Sequence, residues 1–307
     1  MVGPEIHLPD RAPHEPFDAG PGFHVVPLRT PTLPPATHTN CVLIGGDEVI
    51  VVDPASPYED EQARLLEALA PRTVRAIWLT HHHGDHVGGV QALRAALDVP
   101  VRAHPATAKL LEGHVPIDEP LFEGDFEELE GVHLEALHTP GHARGHLAFR
   151  DRDRRTVVAG DLVAGQGTIV IDPPDGDMRD YLATLGRLVL EGVGSVIPAH
   201  GPHRDDGEAQ ILELIGHREQ REAQILEVLS SQPERQAKSL DLAATIYPDV
   251  PSMFHPLAAR QILAHLLKLE IEGKVDRPDG SRGVPGKPIY MASWGGPPTP
   301  EPAFRAL

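Results

Sequence analysis

Four possible metal ligands lie within six consecutive residues of this chain, in the segment THHHGDH at residues 80–86. His81, His83, Asp85 and His86 stand at positions one, three, five and six, so three imidazoles and one carboxylate can converge on a metal ion. Neutral imidazole and carboxylate are common ligands of divalent transition metals. Imidazoles repel one another once protonated and give a surface turn no folding advantage. The pattern therefore favours a metal site over the alternative, a histidine-rich surface turn.

The segments before these residues must position them. Residues 74–80 are mostly apolar and predict a buried strand that ends at the motif. His142, Asp161 and His200 each follow another short apolar run, with Gly or Pro nearby to turn the backbone. Because open sheets collect ligands at one edge, four such strand ends predict a single site.

In this order, the residues resemble the signature of the metallo-β-lactamase-fold hydrolases, which is His-x-His-x-Asp-His followed by a distant His, Asp and His. The match covers roughly residues 22–203. The resemblance implies an α/β fold, the αβ/βα sandwich, with two facing sheets, outer helices and metals at one edge. It also implies a two-metal ligand set: His81, His83 and His142 for the first metal, Asp85, His86 and His200 for the second, and Asp161 as the bridge.

The C-terminal part predicts three helices, at residues 207–229, 240–247 and 256–269, then strand-like runs at 270–275 and 288–291. This order is typical of a winged helix, and the alternative is a helical cap that only covers the hydrolase. With the loop at residues 166–168, the chain resembles the β-lactamase-like protein 2 group. Members of that group carry a winged helix behind the hydrolase domain, and the best-described member is a single-strand-specific endoribonuclease.

The sequence therefore predicts three regions. They are an extended N-terminal arm at residues 1–21, a metallo-β-lactamase-fold hydrolase domain at 22–217, and a helical linker with a winged-helix domain at 218–307. Within the hydrolase domain, helical spacing predicts one helix at Glu59–Leu69 and another at residues 88–97.

Charge is uneven along the 307 residues. Residues 218–307 hold 11 basic and 11 acidic groups, which leaves 16 basic and 34 acidic groups, and the whole net charge of −18, for residues 1–217. This balance opposes tight nonspecific binding of nucleic acid, where Lys and Arg neutralise phosphate. A locally basic channel remains compatible with it.

Composition also favours a cytoplasmic protein. The single cysteine, Cys41, excludes an intramolecular disulfide and lies in a strand-like run, which predicts a buried, inert thiol. No apolar run approaches the roughly 20 residues that span a bilayer. The first 23 residues are rich in Pro and acidic groups and have no apolar signal-peptide core.

A two-metal site permits hydrolysis without a Ser or Cys nucleophile. Two metals about 4 Å apart can share a water molecule and lower its pKa toward neutrality. Asp161 would set the metal spacing and Asp85 could accept the proton of that water. His146, four residues after His142, could orient substrate, shuttle a proton or serve only as outer support. The nitrogen and oxygen ligands suit two divalent metal ions, with Zn favoured over Mn or Fe.

Other polar residues have more ordinary alternatives. Asp53 is expected to support the ligand loops through hydrogen bonds. Arg144 could meet an anionic substrate or form a surface salt bridge. His217, Arg218 and Arg221 share one predicted helix, where they could contact phosphate or be solvated.

Three functions remain open. The resemblance implies phosphodiester hydrolysis of single-stranded RNA. A thioester or lactone hydrolase is the alternative, because the same centre serves those small-molecule substrates. The third is a protein that binds nucleic acid or a partner and has a vestigial site, which the intact ligand set disfavours. A β-lactam substrate has no support, since a fold does not fix a substrate.

Overall fold

The computed structural model describes residues 14–165, 167–281, 283 and 301–307. Predictions for residues 1–13, Gln166 and residues 288–291 lie outside this part of the chain. The described residues form two compact units that interleave along the sequence. The first contains the described residues up to Thr139, with Gly145–Thr168 and Gly192–Gly207, and the second contains Pro140–Arg144, Ile169–Glu191 and the described residues from Glu208 onward.

The first unit begins with a seven-stranded sheet whose spatial order follows the chain. Its strands are β1 (Phe17–Asp18), β2 (Phe23–Arg29), β3 (His38–Gly45), β4 (Glu48–Val52), β5 (Thr73–Trp78), β6 (Val101–Ala103) and β7 (Glu119–Pro120). The first four strands pair antiparallel. From β4 to β7 the pairing is parallel, and helices provide the crossovers that parallel strands need. These helices are α1 (Glu59–Leu69), α2 (Gly84–Val87), α3 (Val90–Leu97) and α4 (Pro105–Leu111).

The second sheet of this unit has five strands in the order β12-β11-β10-β9-β8. They are β8 (Phe126–Leu129), β9 (Val132–His138), β10 (Leu147–Asp151), β11 (Val157–Gly160) and β12 (Val196–Pro198). Only β11 and β12 pair in parallel, so both run toward the same edge of the sheet.

The two sheets share one apolar core. On β3, Val42 and Ile44 point into it, together with side chains of the second sheet such as Phe149. The alternate residues of β3, Cys41 and Leu43, belong to another buried cluster, which includes side chains of α1 and α3. This is the period of two expected for a strand buried on both faces. The predicted sandwich of two facing sheets is confirmed.

The second unit contains α5 (Met178–Glu191), α6 (Gly207–Ser231), α7 (Ser239–Ile246) and α8 (His255–Ile271). A three-stranded sheet completes it, in the order β13-β15-β14, with β13 at Gln236–Ala237, β14 at Val275–Asp276 and β15 at Phe304–Ala306. Its core joins side chains of α6, α7 and α8 to Val275 and Phe304. The predicted winged-helix order of three helices and a small sheet is confirmed.

Some predicted boundaries differ from the structure. The prediction at Glu59–Leu69 matches α1, but α3 begins at Val90, because Gly89 turns against the preceding loop and donates its N–H to the carbonyl of Pro54. The strand predicted from Glu270 is wrong there, since α8 continues to Ile271. Gly273, with a φ of 70°, then lets the chain turn out of the helix.

None of the helices in the described chain has the length and apolar character of a bilayer-spanning segment.

Candidate metal centre

All four strands that precede predicted ligands lie in the first unit, although His142, which follows β9, belongs to the second. β5 ends at Trp78, just before the histidine motif, while β11 ends at Gly160 and β12 at Pro198. Because β11 and β12 are parallel neighbours, Asp161 and His200 leave the same edge of the second sheet. Gly160 allows the sheets to approach here. A Cβ at this position would lie 2.6 Å from Nε2 of His146 and 3.0 Å from Cβ of Thr80.

The first predicted metal has three of its ligands together in this unit. His81, His83 and Asp161 each offer a ligand atom, and these atoms lie within 4.8 Å of one another. Nε2 of His81 lies 2.8 Å from Nδ1 of His83. His81 and Asp161 are buried. Their metal-binding roles stay predictions, and this geometry is compatible with them.

The second predicted metal has all three of its own ligands together. Asp85, His86 and His200 offer ligand atoms within 4.8 Å of one another. Nδ1 of His86 donates to Oδ2 of Asp53 at 2.8 Å. Nδ1 of His200 donates to the carbonyl of His38 at 2.9 Å. In the neutral rings, both Nε2 atoms therefore keep a lone pair for a ligand.

These Nε2 atoms point at carboxylates. Oδ1 of Asp161 lies 3.5 Å from Nε2 of His86 and 3.4 Å from Nε2 of His200. Asp85 Oδ2 lies 3.6 Å from the same nitrogen of His200. Lone pairs that face anionic oxygens in a buried place require a cation, either a proton or a metal ion. The donor set of this chain therefore fits a divalent metal.

Electrostatics at His86 lead to the same conclusion. Burial by itself lowers the pKa of this imidazole, but the carboxylates of Asp161 and Asp53 outweigh burial and raise the pKa well above its usual value. The surroundings of His86 thus stabilise positive charge. A bound metal ion would be stabilised by the same carboxylates.

Asp53 supports the ligand motif, as the sequence suggests. Its Oδ1 accepts the backbone N–H of Thr80 at 2.8 Å, and its Oδ2 accepts the Thr80 hydroxyl at 2.5 Å and Nδ1–H of His86. Asp53 is buried and has a φ of 51°, a conformation that Asp tolerates better than most residues. One carboxylate therefore fixes both the start of the motif and the orientation of one ligand ring.

His146 is fully buried beside the predicted bridging residue. The backbone N–H of Asp161 donates to Nε2 of His146 at 3.1 Å. Because Nε2 accepts this bond, the neutral ring carries its proton on Nδ1. Nδ1 then donates to the hydroxyl of Thr139 at 2.8 Å. Of the open alternatives for His146, this geometry favours outer support over proton transfer to substrate.

His142 lies on the segment Pro140–Arg144, which belongs to the second unit. It is buried, and its Nδ1 donates to the carbonyl of Val170 at 2.8 Å. This bond leaves Nε2 as the nitrogen with a lone pair, which is the form a metal ligand needs. Its assignment to the first metal stays a prediction.

Comparison with known proteins decides the family. A family model described as the metallo-beta-lactamase superfamily matches residues 34–200, which is more than half of the chain. The chain belongs to the metallo-β-lactamase superfamily. A model described as the beta-lactamase associated winged helix domain matches residues 239–283. Members of the superfamily are generally hydrolases.

Curated relatives extend the match. A beta-lactamase-like protein 2 homolog from Drosophila melanogaster is 30% identical over 249 residues, 77% of this chain and 84% of the relative. An atrochrysone carboxyl ACP thioesterase from Aspergillus aculeatus is 30% identical over 168 residues, 53% of this chain and 50% of the relative. The chain thus spans about half the length of that thioesterase, but most of the beta-lactamase-like protein 2 homolog.

Solved structures share the fold over nearly the whole chain. A metallo-beta-lactamase family protein from Thermus thermophilus has a TM-score of 0.72 at 25% identity and covers 94% of this chain and 99% of its own. A beta-lactamase domain protein from Burkholderia ambifaria has a TM-score of 0.77 at 18% identity and covers 96% of this chain and 95% of its own. The resemblance to a superfamily hydrolase followed by a winged helix is confirmed.

Several members of the site carry no sequence signal for a metallo-β-lactamase. Asn40 lies in an apolar strand, yet its Nδ2 donates to the carbonyls of Pro198 and Gly201, on either side of His200. Thr139 and His38 act through one hydroxyl and one backbone carbonyl. The only sequence signal for Asn40 is that a polar residue interrupts an apolar strand.

Two predicted surface groups are not solvated. Arg218 is buried, and its guanidinium donates to the carbonyl of Ile169 at 2.6 Å, so it is not a solvated or phosphate-contacting helix charge. Arg221 is partly buried and donates to the carbonyl of Ile246. Arg144 forms an ion pair with Asp175 at 2.7 Å, and His217 is exposed.

Cys41 is fully buried in the outer core. Burial, and after it the Asp53 carboxylate, raises the pKa of this thiol well above its usual value. Cys41 therefore stays a protonated, inert thiol at neutral pH, as the sequence predicts.

Proposed function

We propose that this chain is a dinuclear metal-dependent hydrolase. Asp161 would bridge one divalent ion held by His81, His83 and His142 and another held by Asp85, His86 and His200. The supporting observation is the position of Asp161. Its ligand atom lies within 4.8 Å of those of His81 and His83, and its Oδ1 lies within 3.5 Å of ring nitrogens on His86 and His200. Zn is the favoured metal because the ligands are imidazoles and carboxylates.

The chain's own residues define the chemistry. Bound metal ions would lower the pKa of a shared water toward neutrality and stabilise the negative oxygen that develops on the substrate. The Asp85 side chain is 19% exposed, so it can exchange with solvent a proton that it accepts from that water. Asp161 fixes the spacing of the site, and His146 holds Asp161 through its backbone N–H. The inert Cys41 leaves no thiol nucleophile here.

For the substrate, the charges favour a thioester or lactone. Net charge is −18, and several basic side chains of the second unit are already engaged: Arg260 with Asp172, Arg277 with Glu270, Arg305 with Asp276, and Lys268 with Glu222. A polyanion would have to compete with these ion pairs for Lys and Arg. The thioesterase among the matched relatives supports an acyl substrate.

Single-stranded RNA is the second candidate. The resemblance to β-lactamase-like protein 2 includes the winged helix and covers 77% of the chain, more than the match to the thioesterase. The same metal site could direct water at a phosphodiester. The acidic charge predicts that RNA binding would be weak and steeply reduced by salt.

A parallel assay tests both proposals. Zn-loaded protein is offered an acyl-pantetheine thioester, an acyl lactone, single-stranded RNA and a β-lactam, and bound metal is measured by elemental analysis. We expect close to two metal ions per chain and turnover of the thioester or lactone. Asp161→Ala should lose at least one ion and about 10³-fold or more in rate, because metals supply several kcal/mol of transition-state stabilisation.

The matched control is Asp205→Ala, which removes an exposed carboxylate and should change neither value. Full activity in chelator-treated protein, or in Asp161→Ala, would refute the mechanism. Turnover of RNA alone would move the assignment to the second candidate.

A further inference from the structure

The second unit contains a short loop that joins a predicted metal ligand to helices α6 and α8. The loop covers residues 169–172, and successive backbone groups along it are hydrogen-bonded to side chains of the same unit. Val170 accepts Nδ1–H of His142 at 2.8 Å. This bond selects the tautomer in which Nε2 can bind metal, and it fixes the plane of the ring.

Residues of α6 and α8 hold the backbone on both sides of Val170. Arg218, on α6, donates from Nη2 to the carbonyl of Ile169 at 2.6 Å. Gln261, on α8, accepts the N–H of Ile171 through Oε1 at 2.7 Å. The carbonyl that orients His142 is thus flanked on each side by a bond to a different helix.

The next residue of the loop is held as well. Nε of Arg260, also on α8, lies 2.6 Å from Oδ1 of Asp172, and its Nη2 donates to the carbonyl of Pro173. Asp172 is 3% exposed, and Arg218 and Gln261 are 6% and 5% exposed. Breaking a buried polar bond leaves its partner desolvated and unsatisfied, so these contacts resist loosening of the loop.

The segment that carries His142 is hydrogen-bonded to α5 and to the residue just before it. Thr184 donates its hydroxyl to the carbonyl of Pro140 at 2.8 Å, and Asp177 donates its N–H to the carbonyl of Gly141 at 2.8 Å. A Cβ on Gly141 would lie 2.3 Å from Cα of Tyr181, so only glycine fits this close approach. His142 is therefore held by the backbone of its own segment and through Val170.

We propose that helices α6 and α8 of the second unit position a metal ligand, with Arg218 and Gln261 as positioning residues for His142. They act through the backbone of residues 169–171 and contact neither metal nor substrate. On α8, Arg260 and Gln261 both fix the loop. This inference rests on the proposed metal centre.

The test compares two methionine variants with a matched arginine control. Arg218→Met and Gln261→Met each remove one bond to the loop at nearly constant side-chain length. Arg221→Met is the control, because Arg221 lies on the same helix, donates to the Ile246 carbonyl outside the loop, and stacks on Tyr247 much as Arg218 stacks on Tyr181. Zn affinity is measured by chelator competition, and the Co-substituted absorption spectrum reports ligand geometry at each ion.

We expect wild type and Arg221→Met to bind two Zn ions with equal affinity. Arg218→Met and Gln261→Met should lower the affinity for one of the two ions by about 10–100-fold, the loss typical when a group that supports a ligand is altered. Only part of the Co spectrum should change. Thermal melting of the metal-free proteins checks folding. If Arg218→Met unfolds, Gln261→Met alone decides.

Three outcomes would overturn the inference. The first is unchanged Zn affinity in both loop variants. The second is an equal loss of Zn affinity in Arg221→Met, and the third is an equal loss of affinity for both ions. Wild-type protein that binds no metal would instead refute the proposed metal centre, so the two failures are distinguishable.

Discussion

At the scale of single residues, the site depends on side chains and backbone groups that orient the possible ligands. Asp53 orients His86 and the start of the motif, the carbonyl of His38 orients His200, and His146 accepts the N–H of Asp161. These bonds orient a ligand ring or the backbone that carries a proposed ligand. Substituting one of these residues should therefore lower metal affinity first, and turnover only as a consequence.

His146→Ala tests this at one position. Because Nε2 of His146 accepts from Asp161 and the ring is fully buried, we expect unchanged metal stoichiometry at saturating Zn and about 10–100-fold weaker affinity. His146→Gln retains an acceptor and should recover part of that affinity. His133→Ala, which removes an exposed ring, is the control for chelator titration.

A different result would restore proton transfer as the role of His146. In that case His146→Ala would bind Zn normally, lose roughly 10²–10⁴-fold in turnover and change the pH–rate profile.

At the scale of elements, α6 and α8 are joined by a buried charge cluster. Glu222 on α6 lies 2.7 Å from Nζ of Lys268 and 3.9 Å from Nδ1 of His265, both on α8. Burial alone would raise the pKa of Glu222, but its interactions with His265 and Lys268 outweigh burial and lower the pKa to about 2. The ionised carboxylate therefore stabilises the packing of these helices.

Glu222→Gln should reveal this as a pH-dependent stability difference. The pKa of Glu222 is lower in the folded state than its ordinary 4.5, so the stabilisation is complete above that value and is lost as pH falls toward about 2. At pH 7 we expect the variant to lose about 2–3 kcal/mol in the free energy of unfolding. Near pH 2 the difference should vanish, because protonated Glu resembles Gln.

Denaturant unfolding of metal-free protein at several pH values measures this difference. Glu219→Gln, at an exposed position of the same helix, should stay close to wild type throughout. A loss in Glu222→Gln that is constant with pH would show that the size and shape of the side chain matter, and its charge does not.

At the scale of the whole molecule, the two compact units are not consecutive halves of the chain. The second unit includes Pro140–Arg144 and Ile169–Glu191, which are inserted between segments of the first. Removing the C-terminal part therefore removes partners of residues that lie within the hydrolase sequence. α5 packs against α8 and would lose that neighbour.

Truncation after residue 207 should thus impair more than substrate binding. We expect a lower melting temperature, weaker Zn affinity and a similar relative loss of turnover on a small thioester and on single-stranded RNA. The measurement is the fold-loss of thioester turnover divided by the fold-loss of RNA turnover, both at saturating Zn. A truncated chain that keeps its Zn affinity and thioester turnover but loses RNA turnover would make the winged helix a polymer-binding module.

The sequence by itself determined the family, the order of the possible ligands and the helices with clear periodicity. α1 matches its prediction at both ends, and the predictions for α6 and α7 lie within two residues of the structure at each end, because apolar spacing is a local property. The ligand types were also evident, since chemistry restricts metal binding to few side chains.

Only the tertiary structure decided the roles of residues whose partners are distant in sequence. Gln261 meets Ile171 across 90 positions, Arg218 meets Ile169 across 49, and Asn40 meets Pro198 across 158. β15 completes its sheet only by pairing with β13 and β14, which lie far before it in the chain. No local pattern encodes such contacts, because their free energy arises only when folding removes both partners from water and brings them together.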